Sequence, residues 1–170
     1  MRDYIIMTDS CCDLSQQEVE ELELTVLPLS FTIEGKTLLN TPDHADMSPE
    51  EFFAKIAAGA DCTTAAVNVG QFTDAMTSAL TAGKDILCIS FSSALSTTYQ
   101  SACIAAEDLR AEHPEAKIIV IDSLSACRGQ GMLIYRTVRE RREKSLDIEA
   151  LADFVRGTIQ HQDHWFMVDD

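Results

Sequence analysis

Ile86-Leu-Cys-Ile-Ser-Phe-Ser-Ser-Ala-Leu-Ser-Thr-Thr-Tyr-Gln-Ser-Ala102 decides how the rest of the chain is read. Its opening run, with β-branched Ile86 and Ile89, has the pattern of a strand buried on both faces. Ser92, Ser93, Ser96, Thr97 and Thr98 follow directly. Tyr99, Ala102, Cys103, Ala106 and Leu109 then recur at helical spacing. A buried strand therefore runs into a cluster of hydroxyls that opens a helix, with Ser92 or Ser93 expected as its N-cap. In open α/β sheets this junction is where ligands bind, and a helix start favours an anion there. Serines that only cap a helix would read the same way, so the other loops have to decide.

Working outward, Tyr4–Met7 reads as a short strand followed by the polar loop Thr8–Ser15. Ser15 and Glu18 form a capping box for a helix to about Leu24. Thr25–Leu29 reads as a strand broken by Pro28, and Ser30–Leu39 as a hairpin turning at Glu34-Gly35-Lys36. Ser48-Pro-Glu-Glu51 is a strong helix start, with Phe52, Phe53 and Ile56 expected on the inner face. Cys62–Asn68 reads as a loop, and Val69–Ala82 as a helix ending at Gly83. After the central strand and its helix, Lys117–Asp122 reads as another doubly buried strand. Ser123–Gly131 is then a polar loop before a helix over about 130–144, and Asp147 caps a last helix. His164–Val168 has the pattern of one more strand.

Strands alternating with helices imply an α/β fold with a mainly parallel sheet flanked by helices. In such a sheet the loops at 8–13, 92–98 and 123–131 share one edge, which Cys62–Asn68 can join. That edge carries many hydroxyls, among them Ser10, Thr63, Thr64, Ser92, Ser93, Ser123 and Ser125, and few charges: Asp9, Asp13, Asp122 and Arg128. A patch of this kind suits a carboxylate, held by neutral hydroxyls and N–H groups.

Other chemistries fit less well. Gly129-Gln-Gly131 is too short for a dinucleotide or Walker phosphate loop, so no nucleotide cofactor is expected. A serine hydrolase needs a G-x-S-x-G elbow, which is missing. Cys11, Cys12, Cys62 and Cys127 fall at the hydroxyl-rich edge without metal-site spacing, so no metal is expected. The net charge of −15 argues against nucleic acid and against anionic membranes. Met1-Arg-Asp-Tyr4 leads into an apolar run too short for a signal peptide, and no run has the length of a membrane span. A cytoplasmic chain with reduced cysteines and no membrane insertion is expected.

Thr8-Asp-Ser-x-x-Asp-Leu14, Thr63-Thr64, Ile89-Ser-Phe-Ser-Ser-x-Leu-Ser-x-Thr-Tyr-Gln-Ser-Ala102 and Val120-Ile-Asp-Ser-x-Ser-Ala-x-x-Gly-Gln-Gly131 closely resemble the motifs of the DegV family, in the same order. The resemblance implies a two-lobed fatty-acid-binding protein, itself without catalysis. It implies that a long-chain fatty acid lies at the lobe junction, with its carboxylate on Thr64 (or Thr63) and Ser93 (or Ser92). Ser10, Ser123 and Ser125 are secondary candidates at the same edge. The implied partner is a separate fatty-acid kinase subunit that makes an acyl phosphate for lipid metabolism. Residues 1–163 correspond to the first lobe and 164–170 to the start of a truncated second lobe, most of which is missing. The usual Thr-Ser-Gln-Pro continuation is Thr64-Ala-Ala-Val67 here, and two usual glycines are Ala94 and Thr97. Two alternatives stand beside the carrier reading: a degenerate or truncated lobe without ligand, and a small-molecule enzyme using Asp9 or Asp122 as base.

Overall fold

The computed structural model describes residues 2–163 and Trp165. In chain order the elements are β1 (Tyr4–Asp9), a 3-10 turn (Ser10–Cys12), α1 (Gln16–Glu21), β2 (Leu24–Leu27), β3 (Leu29–Ile33), β4 (Lys36–Asn40) and α2 (Pro49–Ala57). Then follow β5 (Cys62–Ala65), α3 (Val69–Thr81), β6 (Asp85–Ser90), α4 (Thr98–Glu112), β7 (Ile118–Asp122), α5 (Cys127–Lys144) and α6 (Ile148–Ile159). The expected strand at His164–Val168, and with it the expected second-lobe start, lies outside the described residues.

The main sheet is parallel in the order β2-β1-β6-β7, with Ile6 opposite Leu24, Met7 opposite Cys88 and Ile89 opposite Ile121. Every residue of β6 is buried, as its apolar run predicts. Its side chains alternate faces. Leu87 and Ile89 join Leu133, Ile134, Leu151 and Val155 of α5 and α6, while Ile86 and Cys88 join Phe72, Met76 and Ala102 of α3 and α4. This is the three-layer α/β arrangement the element order implied. No helix among the described residues is long and apolar enough to cross a membrane.

A second, antiparallel sheet in the order β4-β3-β5 stands beside it. Pro28, which has no N–H to donate, separates β2 from β3 and lets the chain leave one sheet for the other. Glu34 (φ 50°) and Gly35 (φ 76°) form the two-residue hairpin turn, with both residues at positive φ as this tight connection requires.

Local signals hold well. Both halves of the Ser15–Glu18 capping box are present, Ser48 and Asp147 cap their helices, and α3 has a second box between Asn68 and Gln71. Five expectations are corrected. Residues 62–65 form strand β5, because an antiparallel partner supplies hydrogen bonds that short polar residues do not advertise. Neither Ser92 nor Ser93 caps α4, which begins at Thr98; Ser92 instead closes a turn of its own. Helix α5 begins at Cys127, so Gln130 and Gly131 are helical. Strand β7 is an edge strand among the described residues and is only partly buried. Helix α2 buries no residue: Phe53 is 67% exposed, Ile56 is exposed and Phe52 only half-buried.

Candidate functional site

The loops after β1, β6 and β7 leave the same edge of the parallel sheet, as the order of the strands requires. Buried hydrogen bonds tie them together. Asp9 is fully buried, and its Oδ2 accepts the Phe91 N–H at 2.8 Å and the Ser90 hydroxyl at 3.2 Å. Its Oδ1 accepts the Cys11 N–H at 3.2 Å and Gln130 Nε2 at 3.3 Å. Gln130 Nε2 also donates to Thr8 Oγ1 at 2.9 Å, and Thr8 donates to the Ile89 carbonyl at 2.8 Å. Burial pushes the Asp9 carboxyl above its usual range, while the Phe91 N–H and the other donors pull it back. With both oxygens engaged and no exposed surface, Asp9 is a structural acceptor. Asp122 plays a similar part, accepting the Ser93 N–H at 3.1 Å and the Leu124 N–H at 3.0 Å.

The candidate hydroxyls separate into two groups. Ser92, Ser123 and Ser125 are buried and spent on loop structure. Ser92 Oγ accepts the Ala94 N–H at 3.3 Å; Ser123 Oγ accepts the Ser125 N–H and donates to the Ser125 carbonyl, both at 3.2 Å. Ser93, Thr63 and Thr64 are exposed. Phe31 pairs with Thr64 and Thr32 with Thr63, so the two threonines point to opposite faces of the small sheet.

Thr64 faces an apolar groove of about 610 Å³. Leu29, Phe31 and Leu39 of the small sheet line it together with Met47, Pro49, Phe52 and Phe53. Phe52 meets Phe31 and Phe53 edge-to-face, with ring centroids 5.4 Å apart in each pair. Asp13 and Cys127 bring the β1 and β7 loops to the same groove. Ser93 stands outside this lining, on the β6 loop that emerges between those two. Three rim residues, Asp13, Leu124 and Cys127, hold positive φ of 53°, 48° and 52°.

Four of the six cysteines offer little reactivity. Burial pushes the thiols of Cys11, Cys12 and Cys88 up, that of Cys12 to about 12, and burial with the nearby Asp13 raises Cys127. All six are free. No three His, Cys, Asp or Glu side chains among the described residues are grouped to hold a metal ion.

The groove wall is what sequence reasoning missed. The alternation in β3 and the apolar side chains of 47–53 are visible in the chain, but the signal placed Phe52 and Phe53 inward rather than over an open cleft.

Comparison with known proteins agrees with this picture. The family model described as "Uncharacterised protein, DegV family" matches residues 4–170. A DegV domain-containing protein of Lactococcus lactis is 39% identical over 170 residues, covering 98% of this chain and 57% of the relative. Another from Clostridium perfringens is 34% identical over 170 residues, covering 99% of this chain and 57% of the relative. A fatty-acid-binding DegV family protein from Thermus thermophilus superposes with a TM-score of 0.81 at 28% identity, over 94% of this chain and 54% of that one. A stearic-acid-binding protein from Eubacterium ventriosum gives 0.80 at 27% identity, over 90% and 52%. The chain thus spans little more than half the length of each of these relatives.

Proposed function

The chain belongs to the DegV family, and from that premise we propose that it binds a long-chain fatty acid, with the acid end on the hydroxyls of Thr64 and Ser93 and the tail in the apolar groove. The observation that carries this reading is the groove itself: an apolar cleft with Thr64 in its lining, reached by the loops after β1 and β7, between which the Ser93 loop emerges. The Thermus and Eubacterium relatives, described as binding a fatty acid and stearic acid, support it.

The energetics divide the work. A sixteen-carbon tail has about fourteen methylenes, whose burial is worth at most ~11 kcal/mol at ~0.8 kcal/mol each. One hydroxyl bonded to a carboxylate adds about 1.5–3 kcal/mol. The tail supplies affinity, and the hydroxyls fix which end faces the rim.

Asp9 is sealed and Asp122 holds a loop, so the two acids weighed as a general base are both engaged as acceptors. We read the protein as a non-catalytic carrier in the cytoplasm that presents the acid to a separate kinase subunit for acyl-phosphate formation. The test is mass spectrometry of lipid extracted from the purified protein, with binding of a fluorescent C16 acid alongside. A bound fatty acid is expected, and Thr64→Ala should weaken binding roughly tenfold to a hundredfold. A protein that is folded yet repeatedly lipid-free and blind to the probe ends the carrier reading and leaves the degenerate lobe.

A further inference from the structure

The apolar groove continues into a space whose lining mixes polar residues with Leu14 and Pro42. This second cavity, of about 280 Å³, abuts the groove, and Asp13, Asn40 and His44 line both. Ser10, Thr41 and Arg128 belong to this second cavity alone. The Arg128 guanidinium is 3.0 Å from each oxygen of Glu18, so its charge is engaged and the Asp13 carboxylate is left facing the space. A second anion entering here meets Asp13 with its nearest cation already engaged.

The hydrogen-bonding inventory is more specific. Ser10 Oγ accepts the Leu29 N–H at 3.1 Å and Asn40 Nδ2 at 3.4 Å. Its own proton has no acceptor among the described residues, and it borders the cavity. Asp13 accepts and Ser10 donates, and a hydroxyl group is the small neutral partner that can answer both. A plain hydrocarbon chain crossing this space would meet Leu14 and Pro42, but would strip water from Asp13 without replacing its hydrogen bonds.

We propose that this polar annex is a second subsite, which selects acyl ligands carrying a hydroxyl along the chain: hydroxylated fatty acids. The proposal rests on the groove being the acyl site.

The experiment compares dissociation constants for octadecanoic acid and for its 2-, 10- and 12-hydroxy derivatives, in the wild-type chain and in Ser10→Ala and Asp13→Asn. The quantity read is the ratio of the unsubstituted to the hydroxy acid's constant within each protein, so overall changes in affinity cancel. For at least one position the wild-type ratio should favour the hydroxy acid, and it should fall about threefold to tenfold in the variants, the worth of a neutral hydrogen bond. Asp13→Asn, isosteric and tolerant of the positive φ there, keeps the test alive if Ser10→Ala, which also removes the acceptor of the Leu29 N–H, fails to fold. Octadecanoic acid binding with no position preferred, or a ratio unmoved in the folded variants, overturns the annex and spares the groove. Failure of every acid to bind overturns both.

Discussion

Gly131 shows how one residue sets the rim. A Cβ built there would lie 2.5 Å from the Cys12 carbonyl oxygen and 3.2 Å from a Leu14 methyl, so only glycine lets α5 lie against the turn after β1. Next to it, Gln130 is fully buried and holds Thr8 and Asp9. A Gly-Gln-Gly triplet that looks like a weak phosphate loop is thus a packing device. Gly131→Ala should destabilise the fold by about 1–3 kcal/mol in urea denaturation despite alanine's better helix propensity, because the obstacle is backbone. Thr63 and Thr64 teach the same lesson in another form. Their identical chemistry gives no reason to choose between them; the register Phe31 to Thr64 does.

At the scale of elements, α2 is the unusual one. It has a strong start at Ser48-Pro49, acids Glu50 and Glu51 in its first turn, and yet no buried residue. What ties it to the small sheet is the Phe31–Phe52 contact and the Lys55 ion pair with Glu34 at 2.8 Å. Such an exposed pair is worth little, so the aromatic contact carries most of the attachment. Phe52→Ala should cost only about 1 kcal/mol of stability, since the ring is half-buried, but should weaken acyl binding about tenfold by opening the groove wall. Parallel urea melts and probe titrations separate the two effects. A large loss of stability with unchanged binding would mean that α2 belongs to the core rather than to the site.

For the whole molecule the informative variable is pH. Asp9 lies above its usual range because burial disfavours its charge. The native state therefore holds a proton that the unfolded chain has released, so stability from this group falls as pH rises through the window between its ordinary and its raised pKa. Carboxylates such as Glu18, held down by the Ser15 N–H and Arg128, work in the opposite direction, losing stability on acidification. Asp9→Asn should remove the first contribution, so the difference in Tm between wild type and variant should change across mildly acidic pH. A difference that stays constant from pH 7 down to the acid transition would show that Asp9 titrates alike in both states.

Much of this architecture is legible in the chain because its signals are local. Apolar runs at 86–89 and 118–121, side-chain caps at Ser15, Ser48 and Asp147, and Gly35 in a turn each act within a few residues, so strand, helix and turn follow from sequence alone. The motif order was equally readable and pointed to the family. Tertiary structure alone decided what depends on distant partners. The pairing of β5 with β3 turned an apparent loop into a strand and aimed Thr64 at the groove. The burial of Asp9 among four donors from the turn after β1, the end of β6 and helix α5 made it a brace. The exposure of Phe53 on a helix with every local mark of an inward face left a cleft where the sequence promised core. Burial and pairing are sums over the whole chain, and no short window contains them.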